Sequence, residues 1–293
     1  MSALPPALAK ALAQWAKGRQ LPEEVRLGKA LTGGCINQVV VVHIGSQRFC
    51  LKQNAPQYTA MLQAEYEQLE ALHAAGGLRY PRPLLAGCAG NAFLLMEYIA
   101  GRQKAPTFWQ QFGRGLARQH RVSAPKFGFG SDNYIGNLPQ PNPREPDWAI
   151  FYAAHRLQPM ARRARDKGLL DASDLHQLER LCHRLPEIFP NEPPALLHGD
   201  LWGGNYLVGE QGEPVAIDPA AYYGHRELDL AMTRLFGGYP PAFYEAYAAE
   251  FPLAPGWEQR LPVGQLYYLL VHIVLFGRSY YPQTAEILRR FGN

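Results

Sequence analysis

Leu196-Leu197-His198-Gly199-Asp200-Leu201-Trp202-Gly203-Gly204-Asn205, with Ile217-Asp218 downstream, is the stretch on which the reading of this chain turns. It sets an Asp and an Asn five positions apart in a loop, then a short strand-like piece, then a second Asp after an apolar residue. Phosphoryl transfer requires such groups. A carboxylate must sit near an acceptor hydroxyl, and oxygen ligands must hold the magnesium that bridges nucleotide phosphates. Asp200 is the candidate base, and Asn205 and Asp218 are the candidate magnesium ligands. Caps and turns use the same residue types, but the order, the interval and the intervening strand match together.

The motif H-R-D-x-x-x-x-N followed by D-F-G, found in protein kinases, has this order and this Asp-to-Asn interval. Two departures carry information. Gly199 stands where those enzymes place the Arg that reads activation-loop phosphate, and Pro219-Ala220 replaces Phe-Gly. The expectation is a kinase not switched by activation-loop phosphorylation. His198 is expected to fix the loop backbone rather than to react.

Upstream, Phe49-Cys50-Leu51-Lys52 lies late in a strand-like segment and is similar to V-A-I-K, whose Lys binds phosphate. Alternation places Cys50 and Lys52 on one face. Glu65 follows on a helical pattern and is the expected partner of Lys52. Glu67 and Glu70 compete for that role, but the face of Glu65 also carries Leu69 and Leu72. Gly33 and Gly34, in Thr32-Gly33-Gly34-Cys35-Ile36-Asn37, form a candidate phosphate-covering loop without the G-x-G-x-x-G spacing. Glu97 and Tyr98 end the last strand-like segment, where a hinge would offer backbone groups to adenine.

Around these motifs the chain divides into two. Leu8, Leu12 and Trp15 predict a short amphipathic helix. Residues 38–44 and 48–53 predict a hairpin, Met61 to Leu72 a helix ended by Gly76-Gly77, and residues 83–87 and 93–98 two more strands. Beyond Gly101, helices are predicted over 107–121, 147–167, 171–184 and 226–236. A Gly-, Asn- and Pro-rich loop covers 127–146, and strand pieces fall at 206–208 and 215–217. The expected fold is α+β and two-lobed, protein-kinase-like, with a β-rich nucleotide-binding lobe over 1–98 and a helical catalytic lobe over 99–293.

With 293 residues, 47% apolar and 18% charged, the composition is that of a soluble globular protein. A formal charge of +4 without a run of like charges gives no footprint for nucleic acid or membrane. Arg162, Arg163, Arg165 and Lys167 read as a solvated helix face before they read as a phosphate site. The apolar run Leu269 to Phe276 is too short to span a bilayer and reads as a buried helix. Four separated cysteines without zinc spacing fit a reducing compartment, so the expected location is cytoplasmic. Cys35 is open to two readings, an inert small residue or a redox-sensitive thiol near phosphate-binding charge.

The residues resemble the fructosamine kinase, or ketosamine 3-kinase, family. The resemblance is carried by 196–205, by Ile-Asp-Pro-Ala-Ala-Tyr-Tyr-Gly-His-Arg-Glu-Leu-Asp-Leu-Ala-Met over 217–232, by 235–239 and by 265–281. Gly33 to Ile36, Lys52 with Glu65, and 127–136 continue it upstream. The resemblance implies a fold like the aminoglycoside phosphotransferases, and ATP with Mg2+ as cofactors. It also implies transfer of the γ-phosphoryl group to the 3-hydroxyl of fructosamine or ribulosamine adducts, on small molecules or on protein lysines. The adduct then breaks down and frees the amine, which is deglycation. By matching position Asp200 is the base, Asn205 and Asp218 bind metal, and Lys52 with Glu65 anchors phosphate. The first Gly of Trp-Gly-Gly-Asn is often Ser in the family, a change expected not to matter.

On the acceptor side, Trp202 either packs on the sugar or anchors the core. Tyr222, Tyr223, His225 and Glu227 are candidates to line the acceptor, whereas Asp229 is expected to brace the catalytic loop. Two rival readings stand beside this one. One is a kinase of the same fold acting on an aminoglycoside, choline or homoserine; the other is a pseudokinase binding module, against which the joint presence of Lys52, Asp200, Asn205 and Asp218 argues. No nucleic-acid or membrane partner is expected, and the assembly is a monomer or homodimer.

Overall fold

A computed structural model describes residues 4–31 and 36–292. Helix α1 (Pro6–Lys17) buries Leu8, Leu12 and Trp15, as their helical spacing predicts. Strands β1 (Val25–Ala30), β2 (Gln38–Ile44) and β3 (Gln47–Asn54) follow, then helix α2 (Thr59–Ala75) and strands β4 (Pro83–Ala89) and β5 (Asn91–Glu97). They form an antiparallel five-stranded sheet in the order β1-β2-β3-β5-β4. The predicted hairpin is β2–β3, and β1 is a strand that the sequence reading left unassigned. One face of the sheet packs on α1 through Val40, Val42, Leu51 and Leu95. The other packs on α2 through Leu62, Leu69 and Leu94.

From α3 (Phe108–His120) onward the chain is mainly helical. A short hairpin, β6 (Asn133–Ile135) with β7 (Leu138–Gln140), stiffens the loop predicted over 127–146. Helices α4 (Trp148–Tyr152) and α5 (Gln158–Asp166) run on through a π-helical turn at Ala153–Leu157 that buries Arg156. Helix α6 (Ala172–Ile188) opens on a capping box of Asp171 and Asp174 and runs past the predicted end. Helix α7 (Glu227–Leu235) falls where expected, and the apolar run 269–276 lies in α9 (Trp257–Phe276). Helices α8 (Pro241–Glu250) and α10 (Tyr281–Phe291) were not anticipated. No helix among the described residues is long and apolar enough to cross a membrane.

Two features of packing place the site. One apolar cluster joins the sheet and α2 (Leu62, Leu69, Leu94, Met96) to α3 and α8 (Phe112, Phe243, Tyr247). The two halves of the chain therefore share a core beside the cleft, and burial of that apolar surface holds their relative position. Three two-stranded pieces then line up the loops: β8 (Ala195–Leu197) with β11 (Tyr222–Gly224), β9 (Tyr206–Val208) with β10 (Pro214–Ala216), and β6 with β7. Asp200 and Asn205 lie between β8 and β9, and Asp218 lies between β10 and β11.

Candidate functional site

A partly open cleft lies between the five-stranded sheet, α2 and the segment around Asp218. Val39, Met96, Ile99, Leu207 and Ile217 give it apolar walls, while Lys52, Glu65 and Asp218 supply charge at its inner end. Cys50 and Lys52 both line it, as strand alternation requires. Burial pushes the Cys50 thiol up to about 11, so it is a small neutral wall residue.

Lys52 joins the two halves of the site. Its Nζ donates to Glu65 Oε1 at 2.5 Å and to Asp218 Oδ1 at 2.5 Å. Burial alone would depress the ammonium, yet the two carboxylates hold it above its ordinary value, so it stays charged. Glu65 is the partner, as expected; Glu67 instead accepts a hydrogen bond from Ser131 on the 127–146 loop. Asp218 has φ +54°, a left-handed conformation uncommon for a residue with a Cβ. The turn aims its carboxylate back into the cleft.

The 198–205 loop is held from below. Asp229 on α7 is fully buried and accepts from His198 N (2.7 Å) and Gly199 N (2.9 Å). His120 Nε2 lies 3.1 Å from the same carboxylate, and His120 Nδ1 lies 2.8 Å from the Tyr247 hydroxyl. Burial works to raise the Asp229 carboxyl, but the His120 and backbone donors outweigh it and draw it below the usual range. His198 Nε2 donates to Ile217 O at 2.9 Å and Nδ1 accepts the Asp200 N–H at 3.2 Å. Burial keeps that imidazole below its ordinary value despite nearby Asp229, so it is neutral. Both of its ring nitrogens are thus engaged with loop backbone, as expected.

Gly199 has a reason beyond the missing Arg. Its φ is +83°, and a Cβ there would lie 2.0 Å from Ala220 O. Only glycine allows the 198–205 loop and the segment after Asp218 to touch. The Trp-Gly-Gly pair divides similarly: a Cβ at Gly203 meets nothing within 4 Å, whereas one at Gly204 would strike the Trp202 ring at 2.3 Å.

Asn205 Nδ2 donates to Asp200 O (2.8 Å) and Asp200 Oδ2 (3.0 Å), which leaves its amide oxygen free. Burial, then the charge of Asp218, push the Asp200 carboxyl up to about 7, against the Asn205 hydrogen bond. Asp200, Asp218 and Glu65 thus set three carboxylates against one ammonium. That excess of negative charge, with a free amide oxygen and the second oxygen of Asp218, fits a hard divalent cation taking few protein ligands. Among the described residues there is no cluster of three His, Cys, Asp or Glu that would form an all-protein metal cage.

At the mouth, Glu97 donates its N–H to Arg82 O (2.9 Å) and pairs with Arg79 (2.6 Å), which also contacts Glu213 of the β9–β10 turn. The Tyr98 ring lies 4.7 Å beneath the Arg48 guanidinium. Gly33, Gly34 and Cys35 lie outside the described residues.

The acceptor side requires correction. Tyr222, His225 and Glu227 are 0%, 1% and 2% exposed and have no surface to offer a substrate. Tyr222 lies under Arg156, 4.1 Å from its ring centre, and His225 packs on Phe189. Glu227 is held by Arg260 through bonds of 2.9 and 2.6 Å. The half-buried Tyr223 ring sits beside Phe129 and Arg144 rather than in the cleft. Trp202 is the exception at 38% exposed, edge-on to Phe236 at 6.0 Å. Phe236 continues to His272 (4.8 Å), and His272 to Tyr280 (5.0 Å), an aromatic row that starts at Trp202. The sequence reading missed these partners. Its available signal was the histidine interrupting the apolar run at 269–276.

Comparison with known proteins agrees with this arrangement. The fructosamine kinase family model matches residues 8–292. A probable ketoamine kinase from Synechocystis is 39% identical over 271 residues, covering 92% of this chain and 91% of the relative. A solved structure from Thermobifida fusca, named for the fructosamine-3-kinases, superposes with a TM-score of 0.85 at 35% identity, over 96% of this chain and 98% of that one. Aminoglycoside phosphotransferase APH(4)-Ia shares the fold alone, with a TM-score of 0.61 at 16% identity over 95% and 98% of the two chains. With the motifs, the architecture and the match along nearly its whole length in accord, the chain belongs to the fructosamine kinase family.

Proposed function

We propose that the protein is an ATP-dependent ketosamine 3-kinase, transferring the γ-phosphoryl group to the 3-hydroxyl of fructosamine or ribulosamine adducts and so leading to deglycation. The observation that carries this reading is the pair of Lys52 bonds, which brings Glu65 and Asp218 from opposite sides of the apolar cleft to one ammonium. Membership of the family supplies the acceptor class. With the reading goes a division into a nucleotide lobe at 1–98 and an acceptor lobe at 99–293, working in the cytoplasm.

Each residue then has a task. The apolar walls take the purine, and Lys52, held charged by its two carboxylates, meets phosphate oxygens. Asn205 and Asp218 would hold Mg2+, which supplies charge neutralisation on the phosphates. Asp200 orients the sugar hydroxyl and takes its proton late, because a hydroxyl is too weak an acid to be ionised first. Trp202 faces solvent beside that base and is the most exposed of the candidates for contact with the acceptor.

A coupled ADP-release assay across fructosamine, ribulosamine, choline and an aminoglycoside tests the reading. Turnover of a ketosamine that disappears in Asp200→Asn is expected. Turnover of choline or the aminoglycoside alone would replace the acceptor, and no turnover on any of them, with nucleotide still bound, would support a pseudokinase.

A further inference from the structure

Glu65 and Gln68 stand three residues apart on α2 and so share a face. Glu65 grips Lys52, whereas Gln68, almost fully buried, reaches across to the backbone just past Asp218. Its Oε1 accepts the Ala221 N–H at 2.5 Å while its Nε2 donates to Ala64 O at 3.0 Å. The opposite side of that segment is held as firmly. Asn133 donates to Ala221 O at 2.7 Å, Gln140 donates to Ala220 O at 3.1 Å, and the Ala220 N–H donates to His198 O at 2.9 Å.

All four backbone polar groups of Ala220 and Ala221 are therefore engaged by residues outside the segment. The holding amides are themselves fixed. Asn133 Oδ1 accepts from Gln140 (2.8 Å) and from Asn142 (3.0 Å), Tyr267 donates to Gln140 Oε1 (2.7 Å), and buried Arg156 donates to Asn142 Oδ1 (2.5 Å). Apart from Arg156 Nε, which has no partner among the described residues, the polar groups of this buried network are hydrogen-bonded, and any displacement would strand them away from water. Gln68 is the one member on the nucleotide-lobe helix.

We propose that Gln68 is a positioning residue that latches α2 to the segment following Asp218, so that the Lys52–Glu65–Asp218 geometry is assembled before nucleotide arrives. The inference rests on the phosphotransferase reading and adds to it. Where a protein kinase sets αC and its metal-binding segment by phosphorylation, this chain uses fixed amide hydrogen bonds. The Ala220-Ala221 backbone and the glycine at 199 are part of the same device, since Ala220 O occupies the space a Gly199 side chain would need.

Two measurements test it. Gln68→Met keeps length and apolar bulk but cannot accept the Ala221 N–H. Assayed where both proteins are folded, it should lower kcat roughly ten-fold and raise the Mg2+ concentration for half-maximal velocity, with KM for the ketosamine within about two-fold. A lowered Tm with kcat and Mg2+ dependence unchanged would overturn the proposal and leave Gln68 a stabilising residue only. Hydrogen exchange of the wild-type protein decides the matter even if the variant does not fold or no ketosamine is turned over. The amides of Ala220, Ala221 and Tyr222 should be protected without nucleotide; rapid exchange that slows only on adding ADP and Mg2+ would show that ligand, not the latch, orders the segment.

Discussion

Replacing Asp229 by Asn tests how the catalytic loop is held. The buried carboxylate accepts the His198 N–H through Oδ2 and the Gly199 N–H through Oδ1. An Asn amide offers one oxygen and one NH2 group, so in either orientation one backbone N–H faces a donor. An unpaired buried donor costs about 1–3 kcal/mol, and the surviving bond falls from charge-assisted to neutral, losing about 1 kcal/mol more. The expected destabilisation is about 2–4 kcal/mol, or roughly 3–7 °C in Tm for a chain of this size. The loop carrying Asp200 should also shift, and a displacement near 1 Å can cost on the order of 10²-fold in rate.

The sign of the pH dependence follows from the Asp229 carboxyl being held below its ordinary value. Its stabilisation is fully present above the unfolded-state pKa of about 4 and is lost as pH falls through the lower folded-state value. Melting curves of wild type and Asp229→Asn should therefore stay apart from about pH 8 to 5 and converge below about pH 4. Thermal melts across that range, with kcat from coupled ADP release, make the test. A variant melting within about 2 °C of wild type at pH 7, with kcat within about two-fold, would refute the view that this carboxylate braces the loop.

Gly199→Ala should be more damaging, because a left-handed φ and a 2.0 Å contact with backbone coincide. A loss above about 3 kcal/mol, seen in denaturant titration, or failure to fold is expected, and near-wild-type stability would contradict the close approach. Asp200→Asn should abolish turnover yet raise stability at pH 8. The folded-state carboxyl is raised to about 7 by burial and then by Asp218, so ionising it disfavours the fold above its unfolded value. The gain, about 2 kcal/mol in metal-free melts at pH 8, should shrink as pH falls from 7 towards 4, and its absence would remove the Asp200–Asp218 repulsion. Glu227→Gln should lower Tm through its broken bidentate pair with Arg260 while KM for the ketosamine stays unchanged; a several-fold rise in KM at unchanged Tm would return Glu227 to the acceptor site.

What the sequence made legible is what short-range geometry controls. Alternation along one strand put Cys50 and Lys52 on one face, and a helical stripe selected Glu65 over Glu67 and Glu70. The five-residue interval from Asp200 to Asn205 sits within a single loop, where they are hydrogen-bonded directly. Three-residue strands such as β8 and β11 left no such trace, since their pairing joins segments distant in the chain through only three residue pairs.

The misplaced acceptor residues show the same limit from the other side. Tyr222, His225 and Glu227, candidates from the sequence to line the acceptor, lie in the segment that carries the family resemblance. What decides their role is the identity of the groups facing them: Arg156 for Tyr222, Arg260 for Glu227, and Phe189 with Trp148 for His225. A buried polar side chain is tolerated only when such a partner is supplied, and each partner arrives from a different helix or from the loop after one. Asp229 was legible where Glu227 was not, because its bonds return to His198 and Gly199 inside the motif already recognised. Trp202 lacks an enclosing partner set, with an open glycine after it and a glycine under its ring. It therefore stays at the surface beside Asp200, where an acceptor has to approach.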